Sequence, residues 1–164
     1  MEYKGFMNAI GSNQGRISSG DTIIERVGAI GVLSLKHAVD QPIGTMSAMS
    51  NSVARHTPII IQKEFGKDSP AFFQAMDKKE KLTSVEIEWY KFDYTGDESL
   101  FYKIKLEDAY LIKIESNNPT PWLGDTSNLK FIETYSFIYQ KIDWAWGPDG
   151  ASAYKSTWAR ADNA

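Results

Sequence analysis

Alternation of apolar and polar positions dominates the chain and predicts strands. Val85, Ile87 and Trp89 alternate with Glu86 and Glu88, after which Tyr90, Phe92 and Tyr94 take the other face. A period of two marks a strand with one face buried and one wet. TGDES at 95–99 is a turn, and the chain returns as LFYKIKLEDAYLIKIE. There Tyr102, Ile104, Leu106, Tyr110, Ile112 and Ile114 share the even positions, with Asp108 as the intruder. This predicts one long strand, or two joined by a kink at Glu107–Ala109. A third run, LKFIETYSFIYQKIDWAW, sets Phe131, Tyr135, Phe137 and Tyr139 on one face and then slips to Ile142, Trp144 and Trp146. Such a slip predicts a bulge near Gln140–Lys141.

Shorter elements complete the pattern. Lys4–Ile10 reads as a short strand ending in the turn GSNQG. From Ile30, the segment IGVLSLKHAVDQP keeps Leu33, Leu35, His37 and Val39 in phase, which predicts one half-buried strand stopped by Pro42. An extended loop over about 41–55 follows, small and polar with two methionines, and SNNPTPWLGDTSN is a second loop. Long loops in compact domains are usually functional or disordered. One short helix is expected over about 70–78, with Ser69 as N-cap and Pro70 where its missing N–H costs nothing. Phe72, Phe73 and Met76 would be its buried face, and Asp77–Lys81 is too polar to extend it. The sum is a mainly β fold: a compact antiparallel β-barrel of two packed sheets with one flanking helix. It is expected to form a single domain over 1–164, with a tail over about 147–164 that is polar apart from Tyr154 and Trp158.

Composition narrows the function classes. The 164 residues are 42% hydrophobic and 24% charged, ordinary for a soluble globular chain. A net charge of −3 with no basic stripe argues against nucleic acid or an anionic membrane as partner. The absence of cysteine removes disulfides, thiolate metal sites and cysteine nucleophiles. MEYKGFMNAIGSNQG lacks a signal-peptide pattern, and no apolar run approaches the roughly 20 residues of a membrane span. The expected protein is made in the cytoplasm and does not insert in membranes. Any export would use a route that reads the folded chain.

The candidate chemistry is thin. His37 and His56 lie nineteen positions apart in strand-like segments, without metal-ligand spacing, and no metal or cofactor is expected. His56 could act as a base with Glu64 or Asp68 as its orienter, but strand alternation turns Thr57 to the opposite face and no nucleophile elbow is present. Glu86 and Glu88 share one strand face and would flank a bond from the same side, the wrong arrangement for a glycosidase pair. Trp89, Trp122, Trp144, Trp146 and Trp158 could form a sugar-binding platform, the alternative being core or interface roles. GSNQG lacks the lysine and the strand–loop–helix setting of a phosphate-binding loop. The residues point away from catalysis and toward assembly.

The order of segments resembles a known family. GVLSLKHAVDQP is similar to the VLS-x-x-H-x-V-x-QP segment of the hemolysin-coregulated protein (Hcp) family, the tube component of bacterial type VI secretion. RHTPIIIQKEFGKDSP carries His56, Ile61, Lys63, Ser69 and Pro70 of a second family segment, and FYKIKLEDAYLIKI resembles its strand pair. FIETYSFIYQKIDWAW resembles the closing strand through Glu133, Phe137, Tyr139, Ile142 and Trp144, and GASAYKSTW the tail of the enterobacterial-type subgroup. One departure is Gly66, where many members carry an acid three positions after the lysine; Asp68 could take over its role.

The resemblance implies a barrel whose six copies form a ring, with rings stacked into a tube inside a contractile sheath. It also implies effector proteins in the lumen, a spike protein of the VgrG type, a baseplate, export without a signal peptide and no enzyme activity. Some relatives carry C-terminal toxin domains, and none is expected within these 164 residues. The loop residues Ile43, Met46, Met49, Ser50, Asn51, Val53 and Arg55 would then reach a neighbouring subunit or ring. Tyr154 and Trp158 would serve tail docking, with deletion of the tail affecting docking more than folding.

Overall fold

The computed structural model describes residues 3–20, 27–41, 54–118, 131–147 and 150–158. Among these the strands are β1 (Tyr3–Gly11), β2 (Gly15–Ile17), β3 (Ile30–Val32), β4 (Ser34–Lys36), β5 (Val39–Asp40), β6 (Arg55–His56) and β7 (Ile59–Glu64). Helix α1 (Ser69–Asp77) precedes β8 (Leu82–Phe92), β9 (Glu98–Asn117), β10 (Ile132–Trp146) and β11 (Ser152–Thr157). The expected antiparallel, mainly β architecture is present. The two expected layers are parts of one continuous sheet of nine strands, ordered β2-β1-β8-β9-β10-β7-β4, with β3 on β1 and β11 on β10. A separate two-stranded ribbon joins β5 to β6.

The segment expected as one strand from Ile30 to Val39 is instead three short ones, each with a different partner. Ile30–Val32 pairs with β1, Ser34–Lys36 with β7, and Val39–Asp40 with His56–Arg55. Between the first two, Leu33 N donates to Gln62 O at 2.8 Å. The chain thereby ties one margin of the sheet to the other, which closes the barrel and shields its edges. Leu33 and Val39, placed by periodicity on a buried face, are exposed because the strand turns a corner at each break.

Three neighbouring strands change phase along one row. In β8 the buried residues are Leu82 and then Val85; in β9 Leu106 and then Ala109; in β10 Tyr139 and then Ile142. The register aligns these steps, since Leu82 and Tyr139 both oppose Ala109, while Val85 and Ile142 both oppose Leu106. Thr83–Ser84, Glu107–Asp108 and Gln140–Lys141 therefore form a crease across the sheet. Asp108 sits at φ 53°, in the left-handed region, as the kink at Glu107–Ala109 requires. The phase slip near Gln140–Lys141 is this crease and not the expected bulge, because β9 and β10 keep one register from Tyr139 to Ile142 and their irregularity lies at Ser136/Phe137.

Beyond the crease, Ala109 and Leu111 are buried, whereas Tyr110 is only half-buried and Ile112 is exposed. This corrects the even-numbered face expected there: Asp108 shifts the phase, and Ile112 is the extra residue of a second irregularity opposite Ser136 and Phe137. The core closes on Met7, Ile59, Ile61, Phe72, Val85, Ile87, Leu106, Phe137 and Ile142.

Helix α1 lies against β9 and the core, through a face that differs from the expected one. Ser69, Phe72 and Ala75 are buried, while Phe73 is exposed. The N-cap is Asp68, not Ser69, and it makes no side-chain capping bond. Ser69 is drawn into the interior by a polar cluster.

Candidate functional site

Three polar clusters are built into this barrel, and each absorbs residues that could otherwise have done chemistry. The first surrounds Lys63, whose side chain is 1% exposed. Residue 63 points inward because Ile59 and Ile61 set the buried phase of β7. Its Nζ lies 3.0 Å from Glu133 Oε1 and 2.9 Å from Asp68 Oδ2, and donates to Glu64 O at 2.8 Å. Glu133 Oε1 also accepts the hydroxyls of Ser69 at 2.7 Å and Tyr135 at 2.9 Å. Burial, with the hydrogen bond and charge of Glu133, raises the Tyr135 pKa well above the phenol range, so its proton stays in place. A buried charge is tolerable only when paired and hydrogen-bonded, which the arrangement provides for Lys63 and Glu133, while Asp68 Oδ2 is ion-paired to Lys63 without a hydrogen bond.

Asp68 thus supplies an acid to Lys63 in this chain, and Gly66 lies against its carboxylate. A Cβ on Gly66 would come within 2.6 Å of Asp68 Oδ1. The glycine leaves room for the carboxylate two residues later. Gly66 N also donates to Ser69 Oγ at 3.1 Å, tying the turn to the cluster.

The second cluster explains GSNQG. Glu80, buried at the end of the polar run after α1, accepts Asn13 N at 3.1 Å and Gln14 N at 3.0 Å. The Gln14 amide donates to Glu80 Oε1 and to Ala71 O. The turn does cradle an anion, and the anion is the chain's own carboxylate. Burial works to raise the Glu80 pKa; the backbone N–H groups of Gln14 and Asn13, the Gln14 amide and Lys78 outweigh it, and the net pKa is lowered. Sequence polarity alone placed Glu80 outside, since nothing local announces a partner 66 residues away.

The third cluster brings together the two histidines. Tyr139 Oη lies 2.7 Å from His37 Nε2 and 2.8 Å from His56 Nδ1. His56 Nε2 is 3.2 Å from Ser156 Oγ, and its ring stacks on Trp144 and leans on Trp158. Burial lowers the pKa of both imidazoles, with the nearby His56 adding to the effect at His37. Neither Glu64 nor Asp68 is bonded to His56. A general base needs an orienting acid and an open path to substrate. His56 is 6% exposed, and its nitrogens meet a phenol and a serine hydroxyl instead.

The remaining candidates are placed as follows. Glu86 faces Lys103 and Lys105, and Glu88 accepts the Tyr90 hydroxyl, so the paired acids belong to a charged strand face. The tryptophans divide between two groups: Trp89 and Trp146 meet Tyr102, while Trp144 stacks between His56 and Tyr154. Trp158, expected to stand alone in a polar tail, packs inward on Tyr139 at 5.0 Å between ring centroids. The tail forms β11 on the edge of β10, and Tyr154 is its outward aromatic, 69% exposed. Arg55 is exposed and bidentate to Asp40, at 3.0 and 2.8 Å, on the ribbon that brackets residues 41–54. Ile43, Met46, Met49, Ser50, Asn51, Val53 and Trp122 lie outside the described residues.

The three polar clusters are turned inward, and the architecture defines a structural class: an antiparallel β-barrel with one flanking helix. The family model for "Type VI secretion system effector, Hcp" matches residues 6–146, and the chain belongs to this Hcp family. The major exported protein of Pseudomonas aeruginosa is 29% identical over 161 residues, covering 93% of this chain and 94% of that protein. A solved Hcp protein superposes with a TM-score of 0.84 at 24% identity, covering 98% of this chain and 100% of its own. The secreted protein Hcp3 of Pseudomonas aeruginosa gives 0.74 at 26% identity, with 96% and 99% covered. The protein is accordingly a non-enzymatic type VI secretion tube protein or effector, exported by that system.

Proposed function

We propose that six copies of this chain, each a single domain over 1–164, close into a ring and that rings stack into the inner tube of type VI secretion. The observation that carries this reading is the family match over residues 6–146 on a barrel of the same fold. Large apolar side chains left outside the barrel, including Ile10, Phe65, Phe73, Ile112 and Phe131, are suited to subunit contacts. A ring needs two complementary patches on one subunit, and stacking needs a further pair. The segment from Ile43 to Val53, with Arg55 at its base, is assigned the contact to a neighbouring subunit or ring. Arg55 is held in a fixed direction by Asp40, which suits it to that use.

Effector proteins would travel in the lumen, a spike protein of the VgrG type would cap the tube, and a contractile sheath and baseplate would drive it. Tyr154, stacked on Trp144, is the exposed candidate for tail docking, and Trp158, packed on Tyr139, would anchor the end of the tail. The tail sequence further suggests the enterobacterial-type subgroup. Analytical ultracentrifugation of Arg55→Ala beside the parent tests the assignment of the ribbon. Unchanged ring and stack formation would remove Arg55 from the interface.

A further inference from the structure

One phenol serves two imidazoles in the third cluster, and this has a consequence for acid. Tyr139 has a single proton, so it donates to one ring and accepts from the N–H of the other. That pattern requires the accepting ring to be neutral. Protonation turns the facing nitrogens of both rings into donors and leaves the phenol proton without its acceptor. Ionising Tyr139 offers no way out, because burial raises its pKa. The two ring centroids are 6.4 Å apart, so a second proton also meets like charge.

Four segments meet at this point. His37 comes from the turn between β4 and β5, His56 from β6, Tyr139 and Trp144 from β10, Ser156 from β11 and Trp158 from the residue just after it. The charged groups of the same elements are engaged elsewhere: Arg55 with Asp40, and Lys155 with Glu107, while Asp143 alternates away from Trp144. Among the described residues no carboxylate is bonded to either imidazole, so nothing compensates an added proton. The end of β11 rests on the same spot, where Trp158 N donates to Gln140 O at 2.8 Å.

We propose that His37, Tyr139 and His56 form an acid-sensitive latch that holds β11 on the barrel and releases it when the imidazoles are protonated. Release frees the β10 edge from Lys141 to Trp146, which β11 covers residue for residue. Each imidazole that must stay neutral in the closed form shifts the open-to-closed ratio tenfold per pH unit below its ordinary value.

Amide hydrogen exchange of the full chain tests this, with rates corrected for the intrinsic pH dependence of exchange. Between about pH 7.5 and about pH 5, protection of residues 152–157 should fall roughly 10- to 100-fold, while residues 85–89 of β8 change much less. In a His37→Gln/His56→Gln chain the pH-dependent loss in β11 should vanish. Equal protection of β11 at both pH values would overturn the proposal, as would the same loss without the histidines. If the double variant does not fold, NMR titration of the parent's imidazoles decides. Ring protonation and β11 opening must share one midpoint, and imidazoles that titrate while β11 stays protected would sink the latch.

Discussion

Replacing Lys63 with methionine should be among the most damaging single changes in this barrel. The substitution keeps an unbranched side chain of similar length and removes only the ammonium. Lys63, Asp68 and Glu133 are 1–2% exposed, and one cation faces two carboxylates. Without it, both acids are buried beside each other with no counter-charge. Breaking a buried pair in this way costs about 3–5 kcal/mol. A native domain has roughly 5–15 kcal/mol in hand, so the loss is a large fraction of the total.

The two acids should respond unequally. Glu133→Gln weakens charge-assisted bonds from Lys63, Ser69 and Tyr135 but keeps a hydrogen-bonding oxygen, at a cost of about 1–3 kcal/mol. Asp68→Asn leaves one cation facing one carboxylate and should cost least of the three. Urea unfolding at neutral pH and fixed protein concentration gives the comparison, since assembly would otherwise move the midpoint. The predicted order of destabilisation is Lys63→Met, then Glu133→Gln, then Asp68→Asn. A Lys63→Met chain within about 1 kcal/mol of the parent would refute the reasoning.

Further outcomes follow from the other special positions. Gly66→Ala should cost about 1–2 kcal/mol alone and much less beside Asp68→Ala, because the added methyl meets Asp68 Oδ1; an additive double-mutant cycle in unfolding would contradict this. Asp108→Gly should be neutral or stabilising by up to about 1 kcal/mol, whereas Asp108→Val should destabilise, since only the first suits φ 53°; thermal melts distinguish them. Glu80→Ala should orphan the N–H groups of Asn13 and Gln14 and cost about 1–3 kcal/mol, with faster exchange localised to that turn. Both histidines have lowered pKa values, so below about pH 6.5 the unfolded chain binds protons that the folded chain does not. Stability should therefore fall as pH drops from there until the folded-state values are passed, by at most about 1.4 kcal/mol per pH unit for each histidine. A flat profile over that range would contradict the sign.

The long strands were legible because their signal is local. Val85, Ile87 and Trp89 announce a face by spacing alone, and the step from Tyr139 to Ile142 announces the crease. What spacing cannot carry is choice of partner. The run from Ile30 to Val39 has strand periodicity, yet its three pieces pair with three different elements, because closing the sheet outweighs keeping one straight strand. Ser69 reads as an N-cap by residue type, but Glu133, 64 positions away, offers its hydroxyl a buried charged acceptor. Trp158 looked isolated because its neighbours Tyr139 and His56 come from distant strands. Glu80 sits in a polar run, and its partners Asn13 and Gln14 are equally distant in sequence. The family resemblance supplied the assembly that no local pattern expresses.

That assembly is the central claim, and negative-stain electron microscopy of the purified chain over a wide concentration range tests it most directly. The account predicts closed rings of six subunits, with stacks gaining ground as concentration rises. Monomers alone across the whole range would contradict it.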